Sequence, residues 1–239
     1  MTEPLTLETD GAVFLLTLSR PAQRNALDLS LVGALQGAIT RYAEDPGLRC
    51  AILTGAPPSF CAGLDLKAFA PPDSPRERVS TFINSLAKCP KPIIAAVNGP
   101  AITGGLELAL SCDFIIAAES ARFGDTHARI GALSGSGMGA RLPRAVGARF
   151  AKQMILTCET IDAVTALRVG LVNEVTTDDA LLSRARALAS QIAAHDPELV
   201  GLAKGVVDRG ALATLGEALQ IERDVLAERK RTRDMSWKT

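Results

Sequence analysis

Three uninterrupted apolar runs, "CAILTG" at 50–55, "PIIAAVNG" at 92–99 and "DFIIAAE" at 113–119, restrict the fold more than any other feature of this chain. Each is bounded by turn residues and none alternates with polar positions, so each reads as a strand buried on both faces, the pattern of a parallel sheet covered by helices. The stretch "PIIAAV" is far too short to cross a bilayer. Upstream, "LTLETDGAVFLLTLS" places two apolar runs around Thr9-Asp10-Gly11, a hairpin signal. Asp28 then caps a helix whose Leu31, Leu35, Ile39 and Tyr42 share a stripe, ending near Pro46-Gly47. The polar segment from Pro71 to Lys88 is expected to be a surface loop running into a helix after Pro75. Beyond about residue 136 helical patterns follow one another, interrupted only by "GLVNEV" at 170–175. The chain therefore divides into an α/β core, residues 1–190, and a smaller helical part, residues 191–239.

Composition removes several classes of function. Lys plus Arg (26) equals Asp plus Glu (26), so no overall field draws the chain to nucleic acid or to an anionic membrane, and an anionic ligand must be met locally. The first residues, "MTEPLTLETDG", carry an early acid and no long apolar stretch, and read as neither a secretory signal nor a basic transit peptide. Five cysteines, at 50, 61, 89, 112 and 158, are odd in number, widely spaced and without a C-x-x-C pair, which fits reduced thiols in a cytoplasm. Only His127 and His195 are available to join them, and no zinc-ligand spacing results.

The chemistry begins at "AITGGLELALSCD", 101–113, where Gly104-Gly105 opens a helix and Glu107 stands alone in an apolar run. A helix start leaves its first N–H groups without internal partners, and glycine there allows a close approach of another molecule to the backbone. Such a place can receive an anion or a developing oxyanion. The plainer alternative is that the glycines make a turn and Glu107 complements the helix dipole. A second stretch, "SFCAGLDL" at 59–66, follows the first buried run and again presents small residues, Cys61-Ala62-Gly63, so that two strand ends together can hold one carbonyl oxygen.

Two other motifs compete. "GSGMGA" at 135–140 satisfies G-x-G-x-x-G/A, the phosphate-binding turn of a dinucleotide site, with Glu159 about one βα unit later, but Pro143 falls within the first turns of what would be the packing helix and only Ile130–Leu133 precedes it as a strand, which argues against a nicotinamide enzyme. The basic run "ERKRTRD" at 228–234 lacks the aromatic interleaving of a single-stranded nucleic-acid site and reads first as a solvated helix end.

Taken with their order and separation, "RPAQRNALD" (20–28), "AILTGAPPSFCAGLDL" (51–66), "KPIIAAVNGPAITGGLELALSCDFIIAAESARFG" (91–124) and "RLPRAVGARFAKQMILTCETIDAVTALRVGLVNEV" (141–175) resemble the enoyl-CoA hydratase/isomerase (crotonase) superfamily. The resemblance implies a spiral of ββα units with a C-terminal helical oligomerisation part, a homotrimer or a hexamer built as a dimer of trimers, and an acyl-CoA ligand. It implies no metal or redox cofactor, since coenzyme A enters with the substrate, and neither nucleic acid nor membrane as partner. By motif position the thioester oxygen falls to the N–H groups of Leu64 and Gly104, and the first catalytic acid to Glu107. The same carry-over puts Arg24, Ala26, Ala62, Asp65, Leu66 and Gly105 along the CoA portion, and basic residues near the C-terminus close to its phosphates. The family's second glutamate is absent: "RFGDTHARIG" places His127 there, with Asp125 two residues too early. Imidazole titrates near ~6.5 and can exchange protons at neutral pH. The implied activity is reversible hydration of a 2-enoyl-CoA; the missing glutamate leaves open a single-base double-bond isomerase or a non-catalytic acyl-CoA binder, and the plainer alternative for His127 is a loop histidine bonded to backbone.

Overall fold

In the computed structural model, which describes residues 3–71 and 73–232, the chain opens with β1 (Leu5–Asp10) and β2 (Val13–Leu18), paired antiparallel across the expected turn. Helix α1 (Leu29–Glu44) begins where Asp28 Oδ1 accepts the Leu31 N–H at 2.8 Å, a side-chain N-cap, and buries Leu31, Leu35 and Tyr42 with Ile39 half-buried beside them. There follow β3 (Cys50–Gly55), α2 (Glu77–Leu86), β4 (Ile93–Val97), β5 (Ala101–Ile102), α3 (Gly104–Ala109), β6 (Phe114–Ala118) and β7 (Arg122–Gly124). The rest is α4 (Met138–Val146), α5 (Ala148–Thr157), β8 (Ile161–Asp162), α6 (Ala163–Arg168), β9 (Glu174–Thr176), α7 (Leu181–Ala193), α8 (Pro197–Gly210) and α9 (Leu215–Thr232).

Two sheets organise these elements. The larger runs β1-β2-β3-β4-β6-β9, parallel from β2 onward; the smaller runs β5-β7-β8. After β4 the chain crosses to β5 in the small sheet, forms α3, returns to the large sheet as β6 and crosses again to β7, which is the ββα winding. The three apolar runs are unbroken because both faces are covered. Ala51 and Leu53, Ile93, Ala95 and Val97, and Ile115 and Ala117 enter the main core, whereas Cys50 and Ile52, Ile94 and Ala96, and Ile116 and Ala118 face a second cluster closed by Leu181, Ala185 and Ala189 of α7. Tyr42 seals the end of α1 by donating its hydroxyl to the Pro92 carbonyl at 2.7 Å, and burial drives its pKa far above the usual phenol range.

The structure departs from the sequence expectations in short elements. β5, β7 and β8 are two or three residues long, too short to carry a periodicity, and within "GLVNEV" the strand begins only at Glu174. Ile130–Leu133 is no strand: residues 128–130 form a single 3₁₀ turn. Pro143 lies inside α4, past its first turn. Residues 190 and 191 lie within helix α7, and the connection from α7 to α8 is 194–196. Neither α8 nor α9 has a fully buried residue; Leu199 and Val207 on α8, Leu212 between the two helices, and Leu215, Leu219 and Leu226 on α9 are exposed. No helix among the described residues is long and apolar enough to cross a membrane.

Candidate active site

The site forms where two loops of the large sheet meet the small one. Residues 24–27 run parallel to 62–65: Ala62 N–H donates to the Arg24 carbonyl (3.0 Å), Leu27 N–H to Gly63 (2.7 Å) and Asp65 N–H to Leu27 (2.9 Å). Asn25 holds the loop below by donating its amide to the carbonyls of Ala56 (2.8 Å) and Ser59 (2.7 Å). Arg20 clamps the outside, its guanidinium bonded to Asp28 and Asp65 and to the Ala26 carbonyl. Burial pushes the Asp65 carboxyl up, but the Ala68 N–H and Arg20 outweigh it and hold the group below its ordinary range. Cys61 pairs with Ala101 and brings this loop against the start of α3.

The two glycines there serve different ends. An added Cβ on Gly105 would stand 2.0 Å from the Cys61 carbonyl oxygen, so Gly105 permits backbone packing within the protein. On Gly104 it would stand 3.5 Å from the Leu64 nitrogen, so these two backbones flank one gap. Among the described residues neither the Leu64 nor the Gly104 N–H has an acceptor. Thr103 turns the chain between them with φ +48° and ψ −114°, a costly conformation for a β-branched residue, held by its N–H on the Gly124 carbonyl (2.9 Å). Gly63, at φ +96°, gives the matching turn on the other side, where a side chain would collide with Thr103 Oγ1.

Both donors open into a cavity of about 640 Å³, whose wall also includes Glu107 and His127. Glu107 is 2% exposed, and its carboxylate is spent on loop 134–138: Oε1 accepts from the Ser134 hydroxyl, the Ser136 N–H (3.3 Å) and the Met138 N–H (3.2 Å). The glycine-rich "GSGMGA" thus directs its amides at an anion of the same chain. Glu107 does not cap its own helix. His127 Nδ1 lies 2.5 Å from Asp125 Oδ1, and its pKa is raised by the Asp125 hydrogen bond, against burial, with the charges of Asp125 and Glu107 adding to the rise. The remaining wall mixes apolar side chains, Leu66, Phe69, Val79, Ile83, Ile130 and Leu133, with the polar Arg76, Ser80, Thr103 and Thr126.

The sequence model of the enoyl-CoA hydratase/isomerase family matches residues 8–238. The chain belongs to that family. A probable enoyl-CoA hydratase of Rhizobium meliloti is 40% identical over 224 residues, 92% of this chain and 87% of its own length. The short-chain-enoyl-CoA hydratase of Clostridium acetobutylicum is 36% identical over 95% of this chain and 90% of its own. The crystal structure of an enoyl-CoA hydratase from Bacillus anthracis superposes with a TM-score of 0.92 at 36% identity, covering 97% of this chain and 92% of that one. The crotonase fold expected from the motifs is therefore the fold this chain has.

Of the residues that the family motifs point to, the structure brings Leu64, Gly104, Glu107, His127, Ala62 and Leu66 into one cavity wall. Arg24, Ala26, Asp65 and Gly105 do not line it: Arg24 and Ala26 lie in the turn before Leu27, Asp65 is engaged by Arg20, and Gly105 packs on Cys61. His195 stands at the end of α7, away from the cavity. Of the basic run, α9 carries Arg229, Lys230 and Arg231, while Arg233 and Asp234 lie outside the described residues. Sequence reasoning set Asp125 aside and missed Ser134, Ser136 and Met138, and the loop-and-helix segment it read as surface belongs to the stretch that supplies Phe69, Ala70, Arg76, Val79, Ser80 and Ile83 to the wall. All five thiols are free; burial pushes Cys50 and Cys61 up to about 12, which keeps them protonated and unreactive.

Proposed function

We propose that this chain is a hydro-lyase that adds water reversibly across the 2,3 double bond of a 2-enoyl-CoA. The observation that carries the reading is the convergence on one cavity of two N–H donors without an acceptor among the described residues, a buried carboxylate and an imidazole. Relatives named as enoyl-CoA hydratases at 36–40% identity support it.

In the proposed mechanism the Leu64 and Gly104 N–H groups hold the thioester oxygen and stabilise the enolate charge that builds on it. Glu107 takes a proton from water as the water oxygen bonds to C3, and the protonated His127 gives its proton to C2. The product is the 3-hydroxyacyl-CoA; Glu107 is left neutral and His127 uncharged, and one proton returned from Glu107 to His127 through solvent resets the site. Three donors on Oε1 keep the Glu107 carboxylate oriented and leave Oε2 for the water. These steps use protein groups alone, with coenzyme A carried in by the substrate. The CoA portion is assigned to the 24–26 and 62–66 segments, with Leu66, 55% exposed, at the mouth, and its phosphates to the basic end of α9. The exposed leucines of α8 and α9 fit a homotrimer or a dimer of trimers assembled through residues 191–239, and the five free thiols fit a cytoplasmic setting.

The test is incubation of the purified protein with 2-enoyl- and 3-enoyl-CoAs, followed by product identification. A 3-hydroxyacyl-CoA is expected. A shifted double bond would replace the proposal with isomerase chemistry, and binding without product would reduce the protein to an acyl-CoA carrier.

A further inference from the structure

His127 is useful in the proposed reaction only if one ring nitrogen is presented to the cavity in a fixed state, and the structure supplies a fixture. Asp125 leaves β7 directly after Gly124, the residue whose carbonyl holds Thr103 and hence the Gly104 turn. Its carboxylate is buried, with 3% of the side chain exposed, and Oδ1 lies 3.2 Å from the His127 backbone nitrogen and 2.5 Å from Nδ1. A carboxylate only accepts, so Nδ1 must carry the hydrogen. In the neutral ring the lone pair then lies on Nε2, and in the charged ring Nε2 holds the transferable proton. The imidazole itself is 16% exposed and borders the cavity with Glu107.

We propose that Asp125 is a positioning residue of this site: it fixes His127 in the Nδ1–H state and aims Nε2 at the bound acyl chain, replacing by a two-residue Asp-His unit what the family obtains from a second glutamate. The proposal rests on the hydratase reading for the acyl chain, although the Asp125–His127 geometry stands without it. Asp125 is bonded to the ring, and the charged groups that line the cavity with it are Glu107 from α3 and Arg76, whose guanidinium is held by the Phe69 carbonyl at 2.6 Å. Arg129, next in the turn, is turned away onto the Cys158 carbonyl at 2.8 Å, and loop 131–137 carries no charge. Both carboxylates favour the imidazolium, and Asp125 does so through a direct hydrogen bond.

The experiment is nitrogen-15 NMR of the histidine rings in the intact protein. The chain has two histidines, so a His195→Gln variant assigns both sets of signals. In the parent, neutral His127 is expected as the Nδ1–H form; an Nε2–H form would overturn the proposal without any variant. In Asp125→Asn the His127 titration midpoint is expected to fall. The alkaline limb of the kcat profile should move to lower pH with it, giving a several-fold loss of kcat near about pH 8 that recovers toward about pH 6, while KM changes little. An unchanged midpoint, or a loss of kcat equal at every pH, would reduce Asp125 to a structural residue. Should the parent prove unable to hydrate any enoyl-CoA, the ring state and its response to Asp125→Asn still decide the positioning claim, while product analysis alone decides the hydratase reading.

Discussion

Replacing Gly104 with alanine separates the proposed oxyanion function of this backbone from its folding. The added methyl would stand 3.4 Å from Gly63 Cα, 3.5 Å from the Leu64 nitrogen and 3.6 Å from Gly63 C, ordinary contact distances, so the fold has room for it. Yet the methyl borders the gap between the Leu64 and Gly104 N–H groups, where a thioester oxygen must sit about 2.9 Å from each nitrogen. Displacing that oxygen from one donor should cost about 2.7–4 kcal/mol in the barrier, roughly a 10²–10³-fold fall in kcat. The assay is initial-rate hydration of a 2-enoyl-CoA by Gly104→Ala and parent, with thermal melts of both. A variant that melts at or above the parent temperature and turns over within a few-fold of it would refute the placement of the oxyanion site.

Its neighbour should respond in the opposite manner: Gly105→Ala puts a methyl 2.0 Å from the Cys61 carbonyl oxygen, and backbone must move, so a loss of about 1–3 kcal/mol or more in denaturant unfolding is expected. Light scattering at micromolar concentration should report an oligomer through the exposed Leu212, Leu215, Leu219 and Leu226, and a change of Leu219 and Leu226 together to Gln should shift it toward monomer; a monomeric parent would contradict the assembly.

What the sequence made legible follows from how far each signal reaches. β3, β4 and β6 were readable because both faces of each are covered and the apolar run has no gap. Glu107 stood out as a charge in such a run. The small sheet was invisible, since β5 and β8 have only two residues each and no period can be read from them. The cavity roof on α2 was hidden for another reason: Val79 and Ile83 belong to the main core and to the cavity wall alike, so their helical stripe reads as packing. The partners of Glu107 include two backbone N–H groups, which have no residue signature; their only trace was the glycine-rich "GSGMGA", and it mimicked a phosphate loop because it too gathers amides around an anion. The Asp125–His127 pair had a trace in its spacing of two, but by motif Asp125 fell outside the family's catalytic position.

The most direct test of the site as a whole is Glu107→Gln, measured for hydration of a 2-enoyl-CoA and for binding of a saturated acyl-CoA. The amide keeps the shape that Ser134, Ser136 and Met138 enclose and removes the base. Turnover is expected to fall at least about 10²–10⁴-fold, the range of general acid–base catalysis, while the acyl-CoA dissociation constant stays within a few-fold of the parent's. A Glu107→Gln protein that hydrates enoyl-CoA at the parent rate would contradict the account.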